Sequence, residues 1–198
     1  MSRLIESIKL LDGKFHNLIY HQGRMNRSLN ILCGMTNTFV LEEYLGSLPY
    51  PRQGCYKCRI VYDDASIEAG FEVYEPRTIK RIRMVEDDTI SYAHKFVDRG
   101  NINRLFDRRG DCDDVLIVKK GRITDCSFSN IVFLKGGQWF TPSTPLLAGT
   151  MRQKLIDENK IVAREIRPED IRSFEMFKII NAMLEFGSPE IEGSEIVF

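Results

Sequence analysis

Residues 113–152 read DDVLIVKKGRITDCSFSNIVFLKGGQWFTPSTPLLAGTMR. Val115–Val118 is a short apolar run, and Lys119-Lys120-Gly121-Arg122 has turn composition. Ile123 to Phe133 alternates apolar and polar residues, and Gly136-Gly137 marks a second turn. Trp139-Phe140-Thr141-Pro142 leaves this β-meander, and Gly149-Thr150 opens an amphipathic helix. Asp125 lies inside the meander, where a core strand seldom places an acid. Backbone N–H groups at a helix start favour an anion, and a buried carboxylate favours a protonated partner. The two features together suit a ligand that is both phosphorylated and protonatable.

The 198 residues suit one large or two small domains. An apolar fraction of 43% supports a proper core. Basic and acidic residues number 28 each, which argues against nucleic acid or a membrane surface as the main partner. Cysteines at 33, 55, 58, 112 and 126 form an odd, scattered set with no signal-peptide pattern ahead of them. A reducing cytoplasm and free thiols are expected. Cys55 and Cys58 form a lone CxxC within a strand, so their side chains point to opposite faces and no metal site is expected there. No apolar run approaches the roughly 20 residues of a membrane span, so a soluble protein is expected.

Upstream of the meander, residues 3–10 and 14–19 look like strands joined at Asp12-Gly13, a hairpin signal. Helical spacing runs from Tyr20 to Cys33 and stops at Gly34; a second helix is expected over Asn37–Leu45. Strands are expected at Cys55–Tyr62, Ile67–Tyr74 and Thr78–Val85. The pattern breaks after Val85, which divides the chain into an N-terminal α+β domain, residues 1–88, and a C-terminal α/β domain, 89–198. The second part adds a helix over Asn101–Arg109 before the meander. After it come a helix over Thr150–Asn159, a strand at Ile161–Ile166, a short helix at Pro168–Phe174 and a strand at Phe177–Asn181. The expected class is α+β with antiparallel-rich sheets.

Four positions could carry chemistry, each with a plain alternative. His21, Arg24 and Arg27 share one helix face, either a solvated basic face or an anion clamp. Gly149-Thr150 is an ordinary helix cap or a phosphate site. Asp125 is a strand-edge acid or a buried charge partner. Lys95, in Tyr92-Ala93-His94-Lys95-Phe96, is by composition one lysine among many.

Taken jointly these positions resemble a known family. Asp125-x4-Asn130-Ile131, Trp139-Phe140-Thr141-Pro142 and Leu147-x-Gly149-x-x-Arg152 look like the signature of class IV aminotransferases, the fold-type IV enzymes of pyridoxal 5'-phosphate (PLP). That group includes branched-chain aminotransferase, D-amino acid aminotransferase and aminodeoxychorismate lyase. Asn17–Ser28 is similar to the family's helix bearing a phosphate-binding arginine, and Lys95 sits where the family has its Schiff-base lysine. Asn181-Ala182 is similar to a second phosphate-side turn, in the form that aminodeoxychorismate lyases favour.

The resemblance implies a two-domain homodimer that binds PLP between its domains. Lys95 would carry the cofactor and act as general base, and Asp125 would hold the pyridine nitrogen protonated. Arg27 would grip the phosphate with backbone N–H groups of Thr150, Met151 and Ala182, beside Gly149 and Asn181, while Asn130 would support the loop carrying Asp125. The implied reaction is transamination of a small amino acid. Pyruvate elimination from 4-amino-4-deoxychorismate, giving 4-aminobenzoate, is the alternative; PLP binding without catalysis and a PLP-free binding module are further ones. The chain departs from the family with Asp at 125 for the usual Glu and with Val132 for the usual aromatic. It also starts almost at Ile5-Glu6-Ser7-Ile8, without the hairpin that helps wall the family's substrate pocket.

Overall fold

The computed structural model describes residues 3–184 and 186–198, which form two compact units. The first comprises residues up to 76 together with 94–98, and the second residues 77–93 and 99–198. The units are therefore interleaved at 77–98, in contrast to a single division after residue 88.

In the first unit the order is β1 (Leu4–Leu11), β2 (Lys14–Phe15), α1 (Leu18–Cys33), α2 (Leu41–Gly46), β3 (Cys55–Tyr62) and β4 (Ile67–Val73). They build an antiparallel sheet of order β2-β1-β3-β4. Alternation in β1 buries Leu4, Glu6, Ile8 and Leu10, and the apolar three of these reach Met25 and Leu29 of α1 or line the same sheet face. The strand expected over 14–19 ends after two residues. Asn17 takes a left-handed conformation (φ 58°), which an asparagine tolerates, and turns the chain into α1. The helix expected from Asn37 starts only at Leu41. The Gln22 side chain donates to Phe39 O (2.9 Å) and accepts from Leu41 N (2.7 Å), meeting backbone groups that a longer helix would have used. Cys58 is buried on β3 and Cys55 is not, as their odd separation requires.

The second unit contains β5 (Ile82–Glu86), α3 (Gly100–Phe106), β6 (Asp114–Lys119), β7 (Arg122–Cys126), β8 (Asn130–Lys135) and β9 (Gln138–Pro142). α4 (Thr150–Asp157), β10 (Val162–Arg164), β11 (Met176–Ile180), β12 (Ile191–Glu192) and β13 (Ile196–Val197) complete it. Two sheets form, of order β13-β5-β6-β7 and β10-β9-β8-β11-β12. β5 pairs in parallel with β6, which is why it belongs to this unit. It begins at Ile82 and not at Thr78, because the Asp113 carboxylate takes the N–H groups of Lys80 (2.7 Å) and Arg81 (3.0 Å).

The meander is split between the two sheets. β6 and β7 form a hairpin in the first, and the chain passes through Ser127-Phe128-Ser129 into β8 of the second. A backbone bond from Cys126 N to Ser129 O (2.9 Å) closes that corner. The two sheets share a core that includes Leu116, Ile123, Ile131, Phe133, Phe177 and Ile179. The other face of the β8–β11 pair, with Val132 and Ile180, packs on Met151 and Leu155 of α4. Among the described residues no helix is long and apolar enough to cross a membrane.

Candidate active site

The expected site residues divide between the units, Arg27 and Lys95 in the first and the rest in the second. Lys95 lies in a segment laid along the edge of β1 that β3 leaves open. Ile5 N donates to Lys95 O (2.8 Å), Val97 N donates to Arg3 O (2.9 Å), and Leu4 and Phe96 form an antiparallel bridge. Sheet hydrogen bonds thus fix the backbone that carries the lysine. His94 adds a side-chain contact, its Nδ1 lying 3.2 Å from Ser28 Oγ on α1.

Beneath this segment is a charged cluster in the core of the unit. Glu6, fully buried, accepts from Arg24 Nε (2.8 Å) and Nη2 (2.5 Å), and His21 Nδ1 lies 2.6 Å from its Oε2. Burial alone would raise the pKa of Glu6. The Arg24 charge and hydrogen bond, followed by His21, outweigh burial and bring it down to about 2. His21 is held below the usual histidine range, first by burial and then by the charges of Arg24 and Lys95, against the pull of Glu6. The three-residue spacing of His21, Arg24 and Arg27 does not make one face of equal exposure: His21 and Arg24 are buried and Arg27 is exposed.

In the second unit the motif residues converge. Asp125 is the penultimate residue of β7 and Asn130 begins β8, and they belong to different sheets. Asn130 Nδ2 donates to Asp125 Oδ1 (2.7 Å) and to Leu147 O (2.9 Å), while Leu147 N donates to Asp125 Oδ2 (2.9 Å). The acid and the amide thereby tie the sheet corner to the loop that delivers Gly149. Asp125 is only 5% exposed, and burial raises its pKa to about 6 despite the Leu147 and Asn130 bonds and the Arg152 charge. Arg152, buried on α4, donates from Nη2 to Pro142 O (2.9 Å).

Gly149 is the N-cap of α4, with Thr150 and Met151 in its first turn. Asn130 stands opposite Ile180 in the β8–β11 register, and Ile180 packs with Met151, so the chain enters Asn181-Ala182 beside the α4 N-terminus. Asn181 Oδ1 accepts from Met183 N (2.9 Å) and Leu184 N (3.0 Å), which makes this a tight side-chain-closed turn.

A family model described as "Amino-transferase class IV" matches residues 97–188. The crystal structure of a "putative 4-amino-4-deoxychorismate lyase" from Haemophilus somnus superposes with a TM-score of 0.86 at 36% identity, covering 92% of this chain and 97% of that one. The chain belongs to the class IV aminotransferase family. An uncharacterized protein of Haemophilus influenzae is 40% identical over 185 residues, 92% of this chain and 98% of its own. A hypothetical aminotransferase from Mycobacterium tuberculosis, solved in a PLP-bound form, shares the fold at a TM-score of 0.73 and 14% identity, over 92% of this chain and 78% of that one.

Members of the class IV family are PLP-dependent enzymes of fold-type IV, and the second unit has the chemistry to suit that cofactor. A phosphate needs donors without competing side chains. The N-terminus of α4 carries the positive end of the helix dipole, and its N-cap is a glycine, which brings no side chain of its own to the site. A protonated ring nitrogen needs a buried acid, and Asp125 is one whose ionised form such a cation would stabilise. The Asp125 carboxylate has about four lone-pair sites, and the bonds from Asn130, Leu147 and Leu146 do not use them all.

Sequence reasoning missed Glu6, although an acid at an inward position of the alternating LIESIKLL was a legible signal. Leu147 entered the sequence reading only as a motif position; its part here is played by its backbone N–H and C=O, which no side-chain pattern announces.

Proposed function

We propose that this class IV protein is a PLP-dependent lyase that eliminates pyruvate from 4-amino-4-deoxychorismate and leaves 4-aminobenzoate. The observation that favours elimination over transamination is the Haemophilus somnus relative, which spans nearly the whole chain and is named for that reaction. The Asn181-Ala182 turn agrees with it. The protein is taken to work as a cytoplasmic homodimer on this small-molecule substrate.

Lys95 is assigned as the residue that holds the cofactor through its Nζ and then takes the proton from the substrate carbon bearing the amine. Bound PLP supplies the sink for the electron pair left on that carbon. The bond from the ring to the enolpyruvyl oxygen breaks, the leaving enolpyruvate gains a proton to become pyruvate, and the carbocycle becomes aromatic. Asp125 keeps a proton on the cofactor's ring nitrogen, with Asn130 holding the acid in place. The backbone N–H groups of Thr150, Met151 and Ala182, with Arg27, hold the phosphate, and Gly149 and Asn181 shape the two turns that present them.

The test is product analysis with chemically prepared 4-amino-4-deoxychorismate. Pyruvate and 4-aminobenzoate should appear in equal amounts. Conversion of D- or L-amino acids to keto acids, with no 4-aminobenzoate formed, would replace elimination by transamination. Borohydride reduction and peptide mapping should place the pyridoxyl mass on the peptide holding Lys95; label on Lys57, Lys119 or Lys120 would overturn that assignment. Sedimentation reports the homodimer directly.

A further inference from the structure

We propose that Lys178 is a positioning residue that sets the Asn181-Ala182 turn for phosphate, by tying Phe186 and Glu190 back onto the sheet. The inference rests on the PLP reading above and assigns a role to a residue outside the motifs. Lys178 sits in β11, opposite Val132 of β8, and is only 6% exposed. Its ammonium donates to Phe186 O (3.0 Å) and pairs with Glu190 Oε1 (3.0 Å), two points of the segment that leaves the sheet at Asn181 and returns at β12.

Two aromatic rings complete the surround. The Lys178 Nζ lies 4.6 Å from the Trp139 ring centre and 4.7 Å from that of Phe186, and the two rings meet edge-on at 5.8 Å. A lysine desolvated this far is held by the charge-assisted bonds and the ring faces together. Trp139 and Phe186 also pack on the cluster of Met151, Leu155 and Ile180. The same clamp therefore touches the α4 N-terminal region and the strand that feeds Asn181. Ser188 Oγ adds a bond to Ile179 O (3.3 Å) from the returning limb.

Without the cation, the segment keeps its local Asn181 turn but loses the ties that fix where that turn stands. Binding of a phosphate at the turn would suffer, whereas contacts to the ring of the cofactor would not. Trp139 is the sole tryptophan, so its emission reports the clamp without any ligand.

The experiment compares PLP with pyridoxal, which lacks the phosphate, by equilibrium absorbance titration of the parent and of Lys178→Met, Lys178→Arg and Glu190→Gln. The parent should prefer PLP over pyridoxal. In Lys178→Met that preference should fall roughly tenfold through PLP alone, in line with one or two lost charge-assisted contacts. Lys178→Arg should restore most of it, and Glu190→Gln should fall between. Trp139 emission should shift in Lys178→Met and return in Lys178→Arg. A PLP preference unchanged in a folded Lys178→Met, or equal losses for PLP and pyridoxal, would overturn the inference. A parent that binds PLP no better than pyridoxal would overturn the phosphate assignment of the turn itself, and this inference with it.

Discussion

Gly149 and Asn130 stand so close that a Cβ on Gly149 would lie 1.9 Å from Asn130 Oδ1. The backbone of Gly149 (φ −69°, ψ 145°) is open to any residue, so space, not conformation, requires glycine here. Gly149→Ala must displace the Asn130 amide from both Asp125 and Leu147. Two hydrogen bonds, the buried one to a carboxyl group and the other part-buried, put the expected loss at about 2–3 kcal/mol in urea unfolding. The double variant Asn130→Ala/Gly149→Ala should cost little more than Asn130→Ala alone, since the clash is then gone. Additive losses would show that Gly149 matters for another reason.

Glu6 should carry much of the stability of the first unit. Its folded pKa of about 2 lies below the ordinary 4.5, so its contribution is present above pH 4.5 and lost as pH falls through 2. Glu6→Gln should therefore destabilise the cofactor-free protein by about 3 kcal/mol at pH 7, and by less than half of that near pH 3. Chemical denaturation at the two pH values tests this. A loss independent of pH would mean that Gln packs poorly and that the charge contributes little.

The motif residues of the second unit were legible because each departs from what its element would otherwise hold: an acid in a core meander, a glycine at a helix start. Their spacing in the chain was enough to group them. What the sequence concealed was the change of sheet at Ser127–Ser129, since period-two alternation runs on through Asp125 to Phe133 whichever sheet a strand joins. β12 and β13 are two residues each and carry no periodicity. The interleaving at 77–98 was hidden for a different reason: β5 is claimed by β6, more than thirty positions later in sequence at every pair, as with Ile82 and Asp114. The burial of Glu6 with Arg24 is likewise a contact across 18 positions, settled by packing and not by local pattern.

The two arginines of α1 give a separable test of the phosphate grip. Arg27 is exposed and Arg24 is buried against Glu6. Arg27→Ala should leave the unfolding midpoint nearly unchanged and weaken PLP roughly 10- to 100-fold, through one charge-assisted contact. Arg24→Ala should first lower the stability of the protein, because it strands a buried carboxylate. Full PLP affinity in Arg27→Ala, with a loss in a folded Arg24→Lys, would move the phosphate contact to Arg24.

Asp125 offers a test in which pH separates structure from catalysis. Without cofactor its pKa is about 6 against the ordinary 3.8, so the folded protein binds the extra proton between those values. The stability tied to this group is complete below pH 3.8 and is lost as pH rises through 6. That amounts to about 3 kcal/mol across the window. Glu6 works below pH 4.5, and the depressed His21 contributes alike to parent and variant, so comparing parent with Asp125→Asn between pH 4.5 and 7.5 isolates Asp125. The parent should lose about 2 kcal/mol more than Asp125→Asn over that range, because the amide does not ionise. PLP should flatten the difference, since a protonated ring nitrogen favours the carboxylate. Turnover of Asp125→Asn should fall by orders of magnitude while PLP affinity drops modestly through the phosphate grip. Matching pH slopes for parent and variant would show an acid that ionises normally, and undiminished turnover would show one that does not face the ring.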